Sequence, residues 1–526
     1  MIAEKTVYDD VPYGSKPFAI THPDRLAAIA GLLGLNPPKV ETARVLEIAC
    51  SSGGNLLPMA AFLPSAHFTG IDFSSQAIDE ANQSARQAGL KNIQFLHADI
   101  ANFNHDGPPF DYIISHGVFS WITPALQEKH MEICSRFLSA NGVAFVSYNT
   151  FPGWNMRGML RDLMSYHAKK FASPQEKVHQ ARQFIEFLAS TVPSEGNPYG
   201  AFIKFELDLL RQNRDSYIYH EHLVGENHPF YLHEFVAMAR SHGLEYLADA
   251  DLRAMAQLDF PDSVKKVLES SMDRIDCEQY MDFLRNRMFR NSLLVRSGNQ
   301  PKLNVDPKIM ENYHLGSSLK LSGEARPLES PEPDVYPING GGEIAIRGSC
   351  AKACFRILGK AWPDRIAFAD LLNQGIEMVG NSPLTSEKIQ AERSELAGAF
   401  LLVFLNTPPM VTDISFRPMT FPKQVSAKPR LNSFNLLSAK NNGALCDPRN
   451  LITELGATER FTVTLLDGSR NCEDFSSYMT EVALADEMKV HEKEVVVTDP
   501  ARLKEIFTDQ WHTLLNSLSQ LGLLEE

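Results

Sequence analysis

The stretch VLEIACSSGGN, residues 45–55, decides the fold of this chain. Val45, Leu46 and Ile48 form a short apolar run that predicts a buried parallel strand. Six small residues follow, and a helical pattern begins at Asn55. A strand, a small-residue loop and a helix form the first half of a βαβ unit. A ligand can lie on the backbone of such a loop and meet the free N–H groups of the helix.

The residues of this loop exclude two common nucleotide-binding motifs. A dinucleotide fingerprint requires Gly-x-Gly-x-x-Gly, but the matching positions hold Ala49, Ser51 and Gly54. A phosphate-binding loop requires Lys and then Ser or Thr after its glycines, whereas Asn55 follows Gly54 here. The loop instead has an acidic residue near the strand end, Glu47, followed at alternate positions by the small residues Ala49, Ser51 and Gly53.

Further strand candidates follow at βαβ spacing. Two of them end in aspartate: Asp72 in FTGIDF and Asp99 in IQFLHADI. A carboxylate at the end of the second strand is suited to accept hydrogen bonds from both ribose hydroxyls of a cofactor. The pattern therefore predicts a cofactor site at one edge of a parallel sheet. The other predicted elements are strands at 111–115 and 142–148 and helices at 21–34, 75–88 and 124–138.

Composition and charge narrow the class of protein. The chain has 526 residues, 44% of them hydrophobic and 22% charged, which is ordinary for a globular protein of two to four domains. Its formal net charge of −14 argues against nucleic-acid binding, which requires a basic face. Seven scattered cysteines indicate a reducing compartment. The N-terminus lacks a signal-peptide core and no apolar run spans a membrane, so we expect a soluble cytoplasmic protein.

The sequence predicts no bound metal. His220 and His222 are two residues apart in YHEHL and do not share one face of a helix. No HExxH motif is present. Cys350 and Cys354 could share a helix face, but no second pair stands nearby, so we expect them in the hydrophobic core.

Hydrophobic patterns divide the chain into four predicted parts. Residues 1–150 form the cofactor-binding core. Residues 151–298 form a helical insertion that also carries the last strands of the core sheet. Residues 299–345 are rich in Pro, Gly and Ser and are predicted to be a linker. Residues 346–526 form a C-terminal α+β region whose order of helices and extended segments resembles a winged helix.

The first part of the C-terminal region is basic in an otherwise acidic chain. Residues 346–440 contain 12 Lys and Arg residues against 7 Asp and Glu residues. Winged helices bind either DNA or protein partners. Beside a cofactor-binding half, this charge favours the docking of a large acidic partner. Because every cofactor candidate precedes residue 150, the cofactor site is predicted to be complete without the C-terminal half.

Several segments of the N-terminal half resemble one known family. The resemblance covers residues 7–297 and is to class I S-adenosylmethionine (SAM) methyltransferases with a methyltransferase regulatory domain. That group includes bacterial lysine methyltransferases of outer-membrane proteins. It implies an α/β fold with a Rossmann-like, seven-stranded methyltransferase sheet, helical insertions and SAM as cofactor. The matching segments are VPYGSKPFAITHPDRLAAIA, VLEIACSSGGNLLPMAA, ISHGVFSWI, SYNTFPGWNMRGMLRDLM and HEHL followed by FYLHEFVAMARSHGLEYLADA.

The resemblance implies a role for each position of the motif. Asp72 would meet the ribose, Asp99 with Ile100 the adenine, and the loop after Glu47 the methionine part, while His116 lies in the stretch that passes the sulfonium. An aromatic arm with Tyr8, Tyr13 and Phe18 is expected to fold over the methionine end. The predicted cofactor-binding residues are Tyr13, Glu47, Ala49, Ser51, Gly53, Asn55, Asp72, Phe73, Asp99, Ile100 and His116.

A lysine acceptor would need to lose a proton before it could be methylated. Free lysine has a pKa of about 10.4, so neutralising it at pH 7 costs on the order of 4–5 kcal/mol. Desolvation in an aromatic pocket lowers that pKa. Tyr148, Asn149, Trp121 and His116, at the ends of the fourth and fifth strands, are the predicted catalytic residues.

Three functions remain open at this point. The first is N-methylation of lysine side chains in a protein substrate, such as an acidic or outer-membrane protein. The second is methylation of a small molecule or lipid, with the C-terminal half covering the cleft. The third is a SAM-binding regulatory module with little turnover, because Ala49 and Ser51 stand where the family usually has glycine.

Overall fold

The centre of the molecule is a seven-stranded sheet. The computed structural model describes residue 11 and residues 14–257, 260–271, 273–338, 341–380, 385–422, 424–492 and 495–525. The sheet strands are β1 (Arg44–Ile48), β2 (His67–Asp72), β3 (Ile93–His97), β4 (Phe110–Ser115), β5 (Leu138–Asn149), β6 (Leu244–Asp249) and β7 (Phe289–Arg296). Their order is β3-β2-β1-β4-β5-β7-β6. The strands β1 to β5 are parallel, and β7 is antiparallel to both its neighbours.

Helices cover both faces of this sheet. On one face lie α1 (Pro23–Leu32), α2 (Leu56–Phe62) and α3 (Ser75–Gln87), and α4 (Pro124–Phe137) lies on the other. The helix α1 starts with proline at its first position, which suits the unsatisfied N–H groups of a helix start. The buried strands and their flanking helices confirm the predicted Rossmann-like architecture.

A helical insertion separates β5 from β6. Leu160, Ile185 and Ile203 are fully buried in a small hydrophobic core of its own. The last two strands of the sheet follow the insertion, so the sheet closes late in the chain, as its sequence pattern predicted. The helices from β5 to β7 are α5 (Gly153–Ala168), α6 (Pro174–Thr191), α7 (Pro198–Gln212), α8 (Asp215–Ile218), α9 (Leu232–Ser241), α10 (Asp262–Ser271) and α11 (Arg274–Arg285). A π-helical turn, Tyr219–Leu223, directly follows α8.

The chain then forms a unit of three helices and a small sheet, which packs on α1. Its strands are β8 (His314–Ser317), β11 (Ile366–Ala367) and β12 (Thr412–Ser415), in the order β11-β8-β12. Its helices are α12 (Ser349–Ala361), α13 (Phe368–Val379) and α14 (Ser386–Asn406), and a hairpin of β9 (Asp334–Pro337) and β10 (Glu343–Ile346) precedes them. Cys350 and Cys354 are buried in its core, where the sequence placed them.

The last unit has a separate hydrophobic core around Phe475, Phe507 and Trp511. Its helices are α15 (Ser433–Lys440), α16 (Ala457–Val463), α17 (Cys472–Leu484) and α18 (Pro500–Gln520). Three two-stranded pairs complete it: β13 (Arg430–Leu431) with β18 (Leu524–Glu525), β14 (Leu445–Cys446) with β15 (Ile452–Thr453), and β16 (His491–Glu492) with β17 (Val495–Val496).

The stretch 299–345 is not a loose connection between two halves. It contains β8, β9 and part of β10, and Tyr313 and Leu315 are buried in the same cluster as Leu26 of α1. The Tyr313 hydroxyl donates to the carbonyl of Ala28 at 3.0 Å. The structure therefore differs from the predicted linker, because its apolar residues pack although its many Pro and Gly residues limit regular structure.

A buried ionic network also joins α1 to the C-terminal half. Arg365 and Arg417 donate to the carboxylate of Asp24 at 3.0 and 2.9 Å. Arg365 donates to Asp413 as well, and Asp413 accepts a further bond from Arg449. Asp24, Arg365, Asp413 and Arg449 are all buried. The unit that contains the seven-stranded sheet and the C-terminal half thus share both apolar and charged contacts.

Within the described ranges, no helix has the length and apolar character needed to cross a membrane.

Candidate functional site

A cavity of about 710 Å³ lies at the carboxyl edge of the parallel strands. It opens where the strand order reverses between β1 and β4, which is the usual ligand position in open α/β sheets. Its volume is in the range of small-molecule and cofactor sites. Of the predicted cofactor residues, Glu47, Ala49, Ser51, Asn55, Asp72, Phe73, Asp99, Ile100 and His116 line this cavity.

Glu47 is a buried carboxylate with one oxygen unoccupied. Its Oε1 accepts a 2.7 Å hydrogen bond from the side-chain amide of Asn55. Its Oε2 has no hydrogen-bond partner. Burial raises the pKa of Glu47 to about 8, although the bond from Asn55 opposes this shift. Because a buried charge is costly without a partner, Glu47 is well placed to receive a cationic group of a ligand.

The loop after Glu47 has the backbone of a glycine-rich loop without its glycines. Ala49 and Ser51 have φ angles of 57° and 49°. Left-handed backbone costs an L-residue roughly 1–2 kcal/mol. The loop keeps its shape in spite of this cost, so the substitutions at 49 and 51 do not move the backbone away from the cavity, which both residues line.

Asp72 lies at the end of β2 and is anchored by the backbone. Its Oδ2 accepts from the N–H of Ser51 and its Oδ1 from the N–H of Ser74, both at 2.8 Å. Carboxylate oxygens retain further lone pairs, which can accept from a ribose. Asp99 similarly caps a short helical turn by accepting from the N–H of Ala101 at 2.9 Å.

The N-terminal arm closes one side of the cavity. Ser15 Oγ accepts from the N–H of Gly54, and the N–H of Phe18 donates to Asn55 Oδ1. A Cβ on Gly54 would lie 2.6 Å from the carbonyl carbon of Ser15, so only glycine lets the arm pass here. Phe18 lines the cavity as expected, whereas Tyr8 and Tyr13 fall outside the described residues.

His116 follows β4 and is surrounded by aromatic rings. Its centroid is 4.1 Å from that of Phe18 and 6.1 Å from that of Phe289. Burial lowers the pKa of His116 to about 4, with a smaller contribution from Lys16. The imidazole is therefore neutral at pH 7 and does not repel a cationic ligand in the cavity.

Part of the cavity lining combines aromatic rings with a carboxyl group: it includes Trp121, Phe289 and, from the π-helical turn, Glu221. Arg161 holds this turn by donating to the carbonyls of Glu221 and Val224, and its guanidinium lies 5.7 Å from the Trp121 ring centroid. Burial raises the pKa of Glu221 to about 7, against the opposing charges of two arginines. π-Helical turns are frequent at functional sites.

The structure does not bring Tyr148 and Asn149 to the cavity. The Tyr148 ring stacks on Phe235 at 4.0 Å and its hydroxyl bonds Ser292 in β7. Asn149 donates to the side chain of Asn227. Their side chains are instead taken up by contacts with α9, with β7 and with the segment before α9. Of the four predicted catalytic residues, Trp121 and His116 remain at the cavity wall.

Sequence reasoning misplaced or missed some members of the site. Gly53 was predicted to bind the cofactor, but its backbone (φ 78°) lies against Phe95 and does not line the cavity. Glu221 stands in HEHL, a segment of the family resemblance in which only the two neighbouring histidines had been considered, as metal ligands. No group of three metal-binding side chains occurs in the part of the chain that the structure describes.

The charges of the cavity fit SAM, which carries an ammonium and a sulfonium as well as a carboxylate. Five of its six charged lining residues are acidic; the set is Lys16, Glu47, Asp72, Glu80, Asp99 and Glu221. An acidic cavity concentrates cations. Glu47, Asp72 and Asp99 are therefore the candidate side chains for hydrogen bonds and ion pairs with such a cofactor.

Asp72→Ala is expected to weaken SAM binding by about 1–3 kcal/mol through loss of the ribose hydrogen bonds. Isothermal calorimetry measures the affinity, with circular dichroism to confirm folding. Asp79→Ala is the matched control, since Asp79 is exposed on α3 and does not line the cavity. Unchanged SAM affinity in a folded Asp72→Ala protein would contradict the cofactor assignment.

Three family models match separate parts of the chain. The model described as "Methyltransferase domain" matches residues 45–142, and "Predicted methyltransferase regulatory domain" matches residues 214–296. The model "PKMT, C-terminal winged helix domain" matches residues 427–523. The last match corresponds to the final unit of the fold and lies within residues 346–526, where the sequence predicted a winged-helix-like region.

Relatives of known sequence or structure extend over most of the chain. An uncharacterised protein of Rickettsia prowazekii (strain Madrid E), RP789, is 34% identical over 474 residues, covering 89% of this chain and 84% of the relative. The structure of PKMT2 from Rickettsia typhi matches with a TM-score of 0.87 and 27% identity, covering 97% of this chain and 100% of that one. The same protein in complex with AdoHcy matches with a TM-score of 0.86 over 98% of this chain and 100% of that one.

Proposed function

This chain belongs to the class I SAM-dependent methyltransferases with a methyltransferase regulatory domain, and we propose that it methylates lysine side chains of a protein substrate. When bound, SAM supplies a methyl group activated by its positive sulfonium. The residues of the protein then have two tasks. They align the acceptor amine with the methyl group, and they help that amine lose its proton.

The observation that carries the lysine proposal is that two aromatic side chains and a carboxyl group line the same cavity as the proposed cofactor residues. Trp121 and Phe289 provide aromatic surface for the apolar stem of a lysine, and Glu221 provides an anionic group for its ammonium. Trp121 is itself held edge-on by Trp154 at 5.9 Å and by Arg161. A long cationic side chain fits this combination better than a neutral lipid does.

Glu221 is the proposed proton acceptor for the amine. A general base works best when its pKa lies near the working pH, and burial places that of Glu221 at about 7. An exposed carboxylate, with a pKa near 4, would bind the ammonium but would be a much weaker base. A lysine stem that covers Trp121 and Phe289 would lose its water, which lowers the pKa of the lysine, whereas an ionised Glu221 beside the ammonium opposes that shift. His116 stays neutral beside them.

A protein substrate would dock through the C-terminal half. Much of the basic excess predicted there is used internally, because Arg356, Arg365 and Arg417 pair with buried aspartates. Among the residues of 346–440 that the structure describes, the exposed basic side chains are Arg347, Lys360, Lys388, Lys428, Arg430 and Lys440. We infer that they favour an acidic surface on the partner, such as that of an acidic outer-membrane protein before export.

A cytoplasmic location is part of the same proposal. All seven cysteines are free thiols, and five of them are buried. Free thiols scattered through a fold are typical of reducing compartments.

Transfer of tritium from methyl-labelled SAM tests this function. After incubation with a bacterial lysate, label is expected in the protein fraction, as methylated lysine after acid hydrolysis. Label confined to the lipid or small-molecule fraction would instead identify the second function considered above. SAM binding without any transfer would show that the chain is a binding module.

A further inference from the structure

Asn450 reaches the cofactor site from the far end of the chain. It lies in the loop between β14 and β15, 395 residues after its partner Asn55. Its side-chain amide donates to the backbone carbonyl and to the side-chain oxygen of Asn55, both at 3.1 Å. Both asparagines are buried, so water does not compete for these bonds.

We propose that Asn450 is a positioning residue for the cofactor. It fixes the side-chain amide of Asn55 and, through it, the Glu47 carboxylate that receives SAM. The winged-helix unit thereby completes a site whose other residues all belong to the N-terminal half. This inference holds whichever acceptor is methylated, since it concerns SAM binding alone.

The orientation of the Asn55 amide shows why a donor is needed on its oxygen. Asn55 Nδ2 donates to Glu47 Oε1 at 2.7 Å and to Thr21 Oγ1 at 3.0 Å. Asn55 Oδ1 accepts from Phe18 N and from Asn450 Nδ2. If the amide turned over, its oxygen would face Glu47 and would repel the ionised carboxylate that a cationic cofactor requires there. The two donors on Oδ1 oppose that rotation.

The loop that carries Asn450 is built to hold it in place. Asn450 has a φ angle of 61°, in the left-handed region that asparagine tolerates better than most residues. The Asp447 carboxylate accepts from the N–H groups of Arg449 and Leu451 at 2.8 and 2.9 Å. The Arg449 guanidinium donates to Asp413 in the network that reaches α1.

A second contact fixes the same unit against the cofactor-binding core. The helix α15 packs on α2, whose first turn follows the loop that lines the cavity. Ser433, at the start of α15, donates to the carbonyl of Ala88 after α3 at 2.7 Å. The position of Asn450 therefore depends on docking of the whole winged-helix unit and not on its own loop alone.

Asn450→Gly tests the proposal because glycine accepts the same backbone conformation and removes only the amide. The dissociation constant for SAM is expected to rise about five- to tenfold, as for the loss of one to two buried hydrogen bonds. Asn442→Gly is the matched control: Asn442 also has a left-handed backbone (φ 58°), but it is exposed. Its SAM affinity is expected to equal that of the wild type.

A double substitution distinguishes an effect of Asn450 that acts through Glu47 from a general destabilisation of the protein. If Asn450 acts through Glu47, then Asn450→Gly should have little further effect on SAM affinity in a Glu47→Gln protein, since coupled residues are not additive. Calorimetry with SAM and with S-adenosylhomocysteine provides the readout. Full additivity, or a loss of equal size in Asn442→Gly, would overturn the proposal.

A third variant keeps the test decisive if Asn450→Gly does not fold. Asn450→Asp has nearly the same size and backbone preference, but it presents an acceptor to Asn55 Oδ1 instead of a donor. Its SAM affinity is expected to fall at least as far as that of the glycine variant. Wild-type affinity, within twofold, in either folded variant would show that Asn450 does not position the cofactor site.

Discussion

Glu221→Gln is expected to lower kcat for methyl transfer about 100-fold, the usual lower range for loss of a general base. SAM affinity should stay within about threefold of the wild type, because Glu221 is not among the residues proposed to contact SAM. The glutamine keeps the shape of the side chain but cannot take a proton from the acceptor. A single-turnover assay with saturating SAM measures the effect directly.

The pKa of Glu221 also predicts the direction in which the methyl-transfer rate changes with pH. Burial raises the pKa of Glu221 to about 7, so the group is protonated, and unable to accept a proton, as the pH falls below that value. The wild-type rate should therefore rise with pH through 7, and Glu221→Gln should lose that inflection. The lysine itself adds a further rise up to pH 9 in both proteins.

Glu226→Gln is the matched control for Glu221. Glu226 is only five residues further along, but it is exposed, pairs with His228 and does not line the cavity. Its rate should equal that of the wild type. A Glu221→Gln protein with wild-type kcat would remove Glu221 from the mechanism and with it the main structural argument for an ammonium acceptor.

Asp24→Ala is expected to lower the free energy of unfolding by about 3–5 kcal/mol, because it leaves buried arginines without their partner. Burial alone would raise the pKa of Asp24, but Arg365 and Arg417 outweigh it and hold that pKa well below its usual range. The stabilisation is therefore present at neutral pH and is lost only in strong acid. Urea denaturation at pH 7 measures the loss.

Asp208→Ala provides the comparison for Asp24. Asp208 is 59% exposed and pairs with Arg211 at 3.5 Å on the surface of α7. Such a pair is worth about 0–1 kcal/mol, so this variant should unfold nearly as the wild type does. A loss below 1 kcal/mol in Asp24→Ala would mean that the two halves of the protein are not held together by this network.

The parts of the fold that depend on local pattern were predictable from sequence. The apolar run before Glu47 and the alternation that ends at Asp72 each specify a strand and the residue at its end, whatever the rest of the chain does. The same is true of α1, whose proline and apolar stripe identify it. For these elements the decisive information lies within about ten neighbouring residues.

Side-chain direction at a strand end was not predictable in the same way. Tyr148 and Asn149 stand at the expected edge of the sheet, but their side chains contact residues much later in the chain: Phe235 and Ser292 for Tyr148, and Asn227 for Asn149. Trp121 and His116 follow β4 and remain at the cavity. Long-range contacts of this kind are not visible in the local sequence.

Glu221 and Asn450 show the limit of local reasoning for the site. Glu221 reaches the cavity because a π-helical turn of the insertion, held by Arg161, folds over the end of the sheet. Asn450 belongs to the last unit of the fold, which looks separate in the sequence, and yet it bonds Asn55 at the end of the cofactor-binding loop. Contacts between such distant segments follow from the packing of whole domains.

Mass spectrometry of a protein substrate methylated with isotope-labelled SAM tests the central claim most directly. The account predicts labelled methyl groups on the Nε atoms of lysine residues after reaction with the wild-type protein, and strongly reduced labelling with Glu221→Gln. Label on another kind of atom, or a fully SAM-saturated protein that labels no lysine, would contradict it.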